Sequence, residues 1–181
     1  MNLPNRLTIM RVIMIPFFVL FMLTDIPKGY GKWVALAIFI IASFTDMFDG
    51  KIARKYGLVT NFGKFMDPLA DKLLVCSALI CLVANGALEE WMAIVIISRE
   101  FIISGLRLVA SDNGVVIAAS YWGKFKTVFQ MLMIGFMIGN VDLLFFRVTT
   151  IILTWIALAL TIVSLIDYIY KNRDVLKTDV H

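Results

Sequence analysis

The sequence predicts an all-α integral membrane protein: six transmembrane helices preceded by a short N-terminal interfacial helix. The chain has 181 residues, 61% of them hydrophobic, and its mean hydropathy is +0.90. Only 17% of the residues are charged, whereas an ordinary soluble domain has about 25%. The apolar segments have helical length, so spanning strands are not expected. The length predicts a single domain over residues 1–181.

Each predicted span is rich in Ile, Val, Leu, Phe and Met and is bounded by turn residues. The opening residues Asn2-Leu3-Pro4-Asn5 supply capping groups and a proline suited to a helix start, which predicts the interfacial helix. Several spans approach the roughly 20 residues that cross a hydrocarbon core; the first and fifth are expected to extend into flanking turns. The predicted spans are Leu7–Leu23, Trp33–Phe48, Phe65–Ala84, Trp91–Ala110, Phe125–Gly139 and Val148–Ile169.

The basic residues predict the orientation of the chain. Six spans place both termini on one side of the membrane. Of the 17 Lys and Arg residues, fourteen fall on that side, and only Lys28, Lys32 and Arg147 fall on the other. This asymmetry follows the positive-inside rule, so both termini are expected in the cytoplasm, with the protein in the cell membrane. The net charge of +4 forms no continuous patch, and no nucleic-acid partner is expected.

Four aspartates, Asp46, Asp49, Asp67 and Asp71, lie inside or at the ends of apolar segments. One aspartate at the centre of a membrane helix costs roughly 2.5–3.5 kcal/mol, so four must be offset by cations, partners or water. The first two close the second span and the other two open the third. The two helices are therefore expected to run antiparallel and to bring the carboxylates to the cytoplasmic mouth.

Such a cluster of hard oxygen ligands suits divalent metal ions and phosphate chemistry. His181 is the only histidine, and the set contains no thiolate. All-oxygen ligation favours Mg²⁺ or Mn²⁺ over Zn²⁺. Two such ions could be bridged by shared carboxylates and could clamp a diphosphate.

The residues around the aspartates separate two interpretations of the cluster. Gly50 and Gly63 remove side chains beside the carboxylates, which lets a bulky ligand come close. Arg54 adds a planar cation suited to a phosphate oxygen. The alternative is a structural ion-pair network in which Lys51, Lys72 and Arg54 neutralise the aspartates. That alternative leaves the two glycines unexplained.

The complete pattern identifies a resemblance to a known family. It reads Asp46-x2-Asp49-Gly50-x2-Ala53-Arg54-x8-Gly63-x3-Asp67-x3-Asp71. Every fixed position resembles the signature of the CDP-alcohol phosphatidyltransferases. Six spans and a cytoplasmic site also fit that family. The resemblance implies transfer of a phosphatidyl group from CDP-diacylglycerol, a membrane lipid, to an alcohol, with release of CMP. It also implies a homodimer.

The resemblance also implies roles for individual residues. Asp46, Asp49 and Asp67 would hold one metal ion, and Asp46, Asp67 and Asp71 the second. Asp71 would in addition take the proton from the attacking hydroxyl group, as the catalytic base. The residues implied to line the CDP site are Asn5, Thr8, Gly50, Ala53, Arg54, Thr60 and Gly63. For Asn5 and Thr8, helix capping is the alternative.

Further stretches are similar to the branch of the family whose acceptor is sn-glycerol 3-phosphate. They are Leu3-Pro4-Asn5-Arg6-Leu7-Thr8-x-x-Arg11, Ser98-Arg99-Glu100 with Ser104-Gly105-Leu106-Arg107, and Gly123-Lys124-Phe125-Lys126-Thr127. An unpaired charge as deep in a span as Arg99 would be costly. A doubly charged acceptor phosphate would suit a group of cations at this mouth. The predicted acceptor-phosphate ligands are Arg99, Arg107, Lys124 and Lys126.

Several alternatives remain open at this point. Arg99 could form a structural pair with Glu100 or another buried acid, and Arg107, Lys124 and Lys126 could anchor the membrane surface. The acceptor could be phosphatidylglycerol, inositol phosphate or serine, although the cations argue against serine. A different class, an ion or proton transporter, would distribute its carboxylates through the membrane depth along several spans. Here they gather at one end.

Overall fold

The chain is all-helical over the residues that a computed structural model describes, which are 3–24, 26–55, 61–112, 117 and 120–173. For residues 3–5, 46–55, 61–65, 67, 68 and 112 the description covers the backbone only. This part of the chain contains six helices and no strand. The helices are α1 (Leu3–Leu23), α2 (Gly31–Lys55), α3 (Asn61–Ala84), α4 (Glu90–Asp112), α5 (Tyr121–Gly139) and α6 (Leu144–Lys171). Each predicted span lies within one helix, so the all-α prediction is confirmed.

Two of the described helices are long and apolar enough to cross a membrane: Arg6–Leu23 within α1, and α6 over its full length. Large apolar side chains on both are more than half exposed, among them Ile13, Phe17, Ile151 and Trp155. Exposed side chains of this kind are expected where a helix faces lipid. The six-span topology stays a prediction.

The separate interfacial helix is a wrong prediction. The helix α1 runs without interruption from Leu3 to Leu23, and Leu3, Pro4 and Asn5 lie in its first turn. Pro4 is the second residue of α1, where its missing N–H is one of those that a helix start leaves unbonded anyway.

The helices α1, α2 and α3 belong to one compact unit, in which α1 packs on both of its neighbours and α2 contacts α3. The rings of Phe18 and Phe39 are 6.1 Å apart, and the Nε of Arg11 donates to the Ala42 carbonyl over 3.3 Å. The later residue of α1, Phe18, contacts the earlier residue of α2, Phe39, so these two helices are antiparallel.

The last turns of α1 and α3 lie side by side. The Nδ2 of Asn85, directly after α3, donates to the Met22 carbonyl over 3.0 Å. Because α1 also packs along α3, the two helices are parallel. It follows that α2 and α3 run antiparallel, as the sequence predicts.

The helices α4 and α6, with α5 up to Phe136, belong to a second compact unit. The rings of Trp91 and Trp155 are 6.4 Å apart. Further along both helices, Arg99 contacts Ser164. The later residue of α4 contacts the later residue of α6, so these two helices are parallel. The rings of Phe136 and Phe146, 5.6 Å apart, connect α5 to the start of α6.

Candidate active site

The carboxylate motif lies on two helix ends of the first unit. The helix α2 continues beyond the predicted end at Phe48 as far as Lys55, so Asp46, Asp49, Gly50, Ala53 and Arg54 are all helical. The helix α3 begins at Asn61, which places Gly63, Asp67 and Asp71 in its first three turns. Spacings of three and four residues put each set on one face of its helix. Thr60 lies outside the described residues.

The helix registers bring three positions to about the same level of this unit. Ala42 of α2 is level with Arg11 of α1. Asp46, one turn later in the antiparallel α2, is therefore level with Thr8, about one turn earlier in α1. Asn85, directly after the parallel helix α3, contacts Met22 of α1. Asp71 lies 14 residues before Asn85, and Thr8 lies 14 residues before Met22, so Asp71 is level with Thr8. The backbone thus places Thr8, Asp46 and Asp71 at a common level.

The face of α1 at this level carries two buried polar side chains, Thr8 and Arg11. Asp71, the one motif aspartate whose side chain the structure describes, is half-buried. Asn5 lies in the first turn of α1, one turn before Thr8. Arg11 is not among the predicted site residues, and its described hydrogen bond goes to the Ala42 carbonyl of α2.

The metal prediction falls largely on side chains outside the described set. Among the described side chains, no group of three Asp, Glu, His or Cys residues lies together. Asp46, Asp49 and Asp67 are not in that set. The two-metal site therefore stays a prediction, and so do the CDP-site roles of Asn5, Gly50, Ala53, Arg54, Thr60 and Gly63.

The second unit contains a cluster of charged and hydroxyl side chains around Arg99. Arg99 is 7% exposed, and its Nε donates to the Ser164 Oγ over 3.1 Å. Its Nη1 lies 3.6 Å from a carboxylate oxygen of Glu100. The same oxygen of Glu100 pairs with the Nζ of Lys126, whose side chain is 1% exposed. Buried charges are expected to be paired in this way.

Arg107 joins the same two helices further along. Its Nε donates to the Tyr168 hydroxyl over 3.2 Å, and its guanidinium carbon lies 5.6 Å from the centre of the Tyr168 ring. Lys124 takes a different position: its Nζ lies over the Tyr121 ring of its own helix, at 5.4 Å. The described contacts join Arg99 to Lys126 through Glu100 and join Arg107 to Tyr168, and they leave Lys124 outside both groups. The two groups, which meet α6 four residues apart, are called the charged network below.

The net charge of this cluster is lower than the four cations predicted from the sequence would give. Three cations and the Glu100 carboxylate leave a net charge of +2. The alternative in which Arg99 pairs with Glu100 is present in the structure, together with the link from Glu100 to Lys126. Sequence reasoning missed Ser164 and Tyr168. Their signal is two polar groups four residues apart, on one face of a strongly apolar helix.

The chain is similar over most of its length to proteins with assigned names. The profile of the family described as CDP-alcohol phosphatidyltransferase matches residues 1–163. A protein of Bacillus subtilis (strain 168) named CDP-diacylglycerol–glycerol-3-phosphate 3-phosphatidyltransferase is 45% identical over 190 aligned positions, covering 98% of each chain. A protein of the same name from Haemophilus influenzae is 43% identical over 173 positions, 93% of this chain and 91% of the relative.

A third relative carries a different form of the name. A Mycobacterium tuberculosis protein named probable phosphatidylglycerophosphate synthase is 39% identical over 178 positions, which cover 96% of this chain and 83% of the relative. The family profile over residues 1–163 includes the carboxylate helices and Arg99, Arg107 and Lys126 of the second unit, and it ends before Ser164 and Tyr168.

Proposed function

The chain belongs to the CDP-alcohol phosphatidyltransferase family, and we propose that it transfers the phosphatidyl group of CDP-diacylglycerol to sn-glycerol 3-phosphate. The products are phosphatidylglycerophosphate and CMP. The observation that carries the proposal is that relatives named for this reaction align over more than nine-tenths of this chain at about two-fifths identity. Phospholipid biosynthesis in a membrane fits the apolar helices of the fold.

The reaction replaces the phosphoanhydride bond of CDP-diacylglycerol with a phosphodiester bond to the acceptor. A hydroxyl oxygen of glycerol 3-phosphate attacks the phosphorus that carries the diacylglycerol, the bond to the CMP oxygen breaks, and the hydroxyl proton leaves. Asp71 would accept that proton as general base. Support for this role comes from its position in α3, level with Thr8 and with Asp46 of α2.

Asp46, Asp49, Asp67 and Asp71 would hold two Mg²⁺ or Mn²⁺ ions, because hard carboxylate oxygens suit these metals. When bound, such ions supply neutralisation of the diphosphate and of the charge on departing CMP. Asn5, Thr8, Gly50, Ala53, Arg54, Thr60 and Gly63 would line the CDP site. The backbone supports these assignments by carrying the aspartates on antiparallel, contacting helices of one unit.

Arg99, Arg107, Lys124 and Lys126 would bind the phosphate of the acceptor. Support comes from the charged network of the second unit, in which α4 supplies Arg99 and Arg107 and α5 supplies Lys126. Arginine guanidinium groups match phosphate oxygens with two parallel hydrogen bonds. A neutral hydroxy amino acid such as serine offers no dianion to such a group, so the network favours glycerol 3-phosphate.

We further infer that all six helices cross the membrane, with both termini and the reaction on the cytoplasmic side, and that the protein is a homodimer. The distribution of fourteen basic residues against three supports the orientation. The apolar length of α1 and α6 supports the membrane location. Cysteine accessibility labelling at residues of the α2–α3 and α3–α4 connections tests the orientation, since opposite protection is expected for the two.

The proposed reaction is tested by CMP release from the purified protein with CDP-diacylglycerol and divalent metal. The acceptors compared are glycerol 3-phosphate, serine, inositol phosphate and phosphatidylglycerol. Among these acceptors, only glycerol 3-phosphate is expected to give fast release of CMP. Preference for another acceptor would retain the chemistry and overturn the substrate. Metal-independent ion flux in liposomes, surviving Asp71→Asn and without CMP release, would instead support a transporter.

A further inference from the structure

We propose that the hydroxyl groups of Ser164 and Tyr168 in α6 are positioning groups for the acceptor: they aim the guanidinium groups of Arg99 and Arg107 at its phosphate. This role rests on the proposed function, because it presumes an acceptor that carries a phosphate. It assigns to α6 a part in substrate specificity that the motif in α2 and α3 does not supply.

The two hydroxyl groups occupy unusual places for polar atoms. Ser164 is 0% exposed and Tyr168 is 2% exposed, on the most apolar of the six helices. They are four residues apart and so lie on one face of α6. Each accepts a hydrogen bond from the Nε of an arginine in α4, at 3.1 Å and 3.2 Å. Two buried hydroxyls are thus both used to hold an arginine.

The two hydrogen bonds hold both guanidinium groups against the same face of α6. Arg99 and Arg107 are eight residues apart in α4, about 12 Å along the helix axis, whereas Ser164 and Tyr168 are about 6 Å apart. Both groups carry a positive charge, and like charges held against one helix face repel each other. An anion placed between them would relieve that repulsion.

The choice of atoms keeps the arginines available to a ligand. A hydroxyl on Nε fixes the plane of the guanidinium and leaves the terminal nitrogens of Arg107 to make a forked contact with phosphate. In Arg99 the Nη1 faces Glu100 at 3.6 Å, so Nη2 is the terminal nitrogen left for an anion. A hydroxyl also carries no charge to cancel that of the arginine. Among the described residues Arg107 has no carboxylate partner, only the hydroxyl and ring of Tyr168.

Removal of single hydroxyl groups tests the proposal. Tyr168→Phe keeps the ring beneath Arg107, and Ser164→Ala removes one oxygen beside Arg99. The matched control is Thr161→Val, one turn earlier on the same buried face, because its hydroxyl bonds only to its own helix, at the Ala157 carbonyl. For each variant, KM and kcat are measured for both substrates, together with the melting temperature in detergent.

Each hydroxyl deletion is expected to raise KM for glycerol 3-phosphate about fivefold or more, since hydrogen bonds to charged groups are among the stronger ones. For both variants, KM for CDP-diacylglycerol and kcat at saturating acceptor are expected to stay within about twofold of the wild-type values. All kinetic constants of Thr161→Val are expected to stay within the same range. An unchanged KM for glycerol 3-phosphate in active, folded Tyr168→Phe overturns the proposal. A fall in melting temperature without a KM change does the same.

A double-variant cycle shows whether Tyr168 acts through Arg107. In an Arg107→Ala background, Tyr168→Phe is expected to have no further effect on KM for glycerol 3-phosphate. Full additivity of the two effects would overturn the positioning role. Wild-type protein assayed in parallel separates this outcome from failure of the proposed function, which would appear as no CMP release with glycerol 3-phosphate at all.

Discussion

Arg11 of α1 donates its Nε hydrogen to the backbone carbonyl of Ala42 in α2 over 3.3 Å, one helical turn before Asp46. The side chain of Arg11 is 1% exposed. A buried cation thus joins the first half of α1 to the segment of α2 that leads into the carboxylate motif. This contact sets the register that places Thr8 level with Asp46.

Arg11→Met is expected to lower the free energy of unfolding by about 1.5–3 kcal/mol, the usual worth of a hydrogen bond from a charged donor. Thermal unfolding in detergent measures the change. Arg6→Met is the matched control, because Arg6 is exposed on the same helix. Equal melting temperatures for the two variants would show that the contact adds nothing to stability.

Arg107→Ala is expected to raise KM for glycerol 3-phosphate at least tenfold and KM for CDP-diacylglycerol by less than twofold, because a charge-assisted contact to phosphate is worth about 1.5–3 kcal/mol. Initial rates of CMP release over a range of each substrate give both constants. Arg147→Ala serves as the control, since Arg147 is exposed at the start of α6. Equal effects of Arg107→Ala on both constants would remove Arg107 from acceptor binding.

Glu100→Gln is expected to destabilise the second unit, since it leaves the buried cation of Lys126 without its carboxylate partner. Breaking a buried pair from one side typically costs about 3–5 kcal/mol. The double variant Glu100→Gln with Lys126→Met should recover much of this loss, because it removes the buried cation as well. Melting temperatures of the two single variants and the double variant measure the coupling. Strict additivity would contradict a direct pairing.

Gly123→Ala is expected to raise KM for glycerol 3-phosphate, because a Cβ at this position would lie 3.3 Å from the Nη2 of Arg99. The guanidinium would have to move by a few tenths of an ångström. An increase of about two- to fivefold is expected, less than for loss of a whole hydrogen bond. Gly105→Ala in α4 is the control, since nothing lies within 4 Å of its added Cβ. Identical kinetics of the two variants would place Arg99 outside the acceptor site.

The sequence predicts the helices well because their signal is local. Each of the six apolar runs lies within one helix, and the antiparallel arrangement of α2 and α3 follows from the short connection between them. The limits of these helices were predicted less well. The apolar run in α2 ends at Phe48, but backbone hydrogen bonding continues through the polar motif to Lys55, which hydropathy alone does not register.

The contacts of the second unit depend on distant parts of the chain, and local patterns do not reveal them. Arg99 and Ser164 are 65 residues apart, and Arg107 and Tyr168 are 61 apart. The sequence identifies the arginines, since charges in an apolar run are conspicuous. It does not show which hydroxyl they reach, because that depends on the parallel packing of α4 and α6. The single-domain and two-metal predictions stay predictions.

The most direct test of the account is the metal dependence of CMP release from CDP-diacylglycerol and glycerol 3-phosphate, in wild type and in Asp67→Ala. We expect chelation to stop wild-type turnover and Mg²⁺ or Mn²⁺ to restore it. Asp67→Ala should remain folded but lose at least about 10²-fold in rate at any metal concentration. As a control, Asp142→Ala, at an exposed position before α6, should behave as wild type. Turnover that persists in chelator, or in Asp67→Ala, would contradict the assignment of the carboxylate helices.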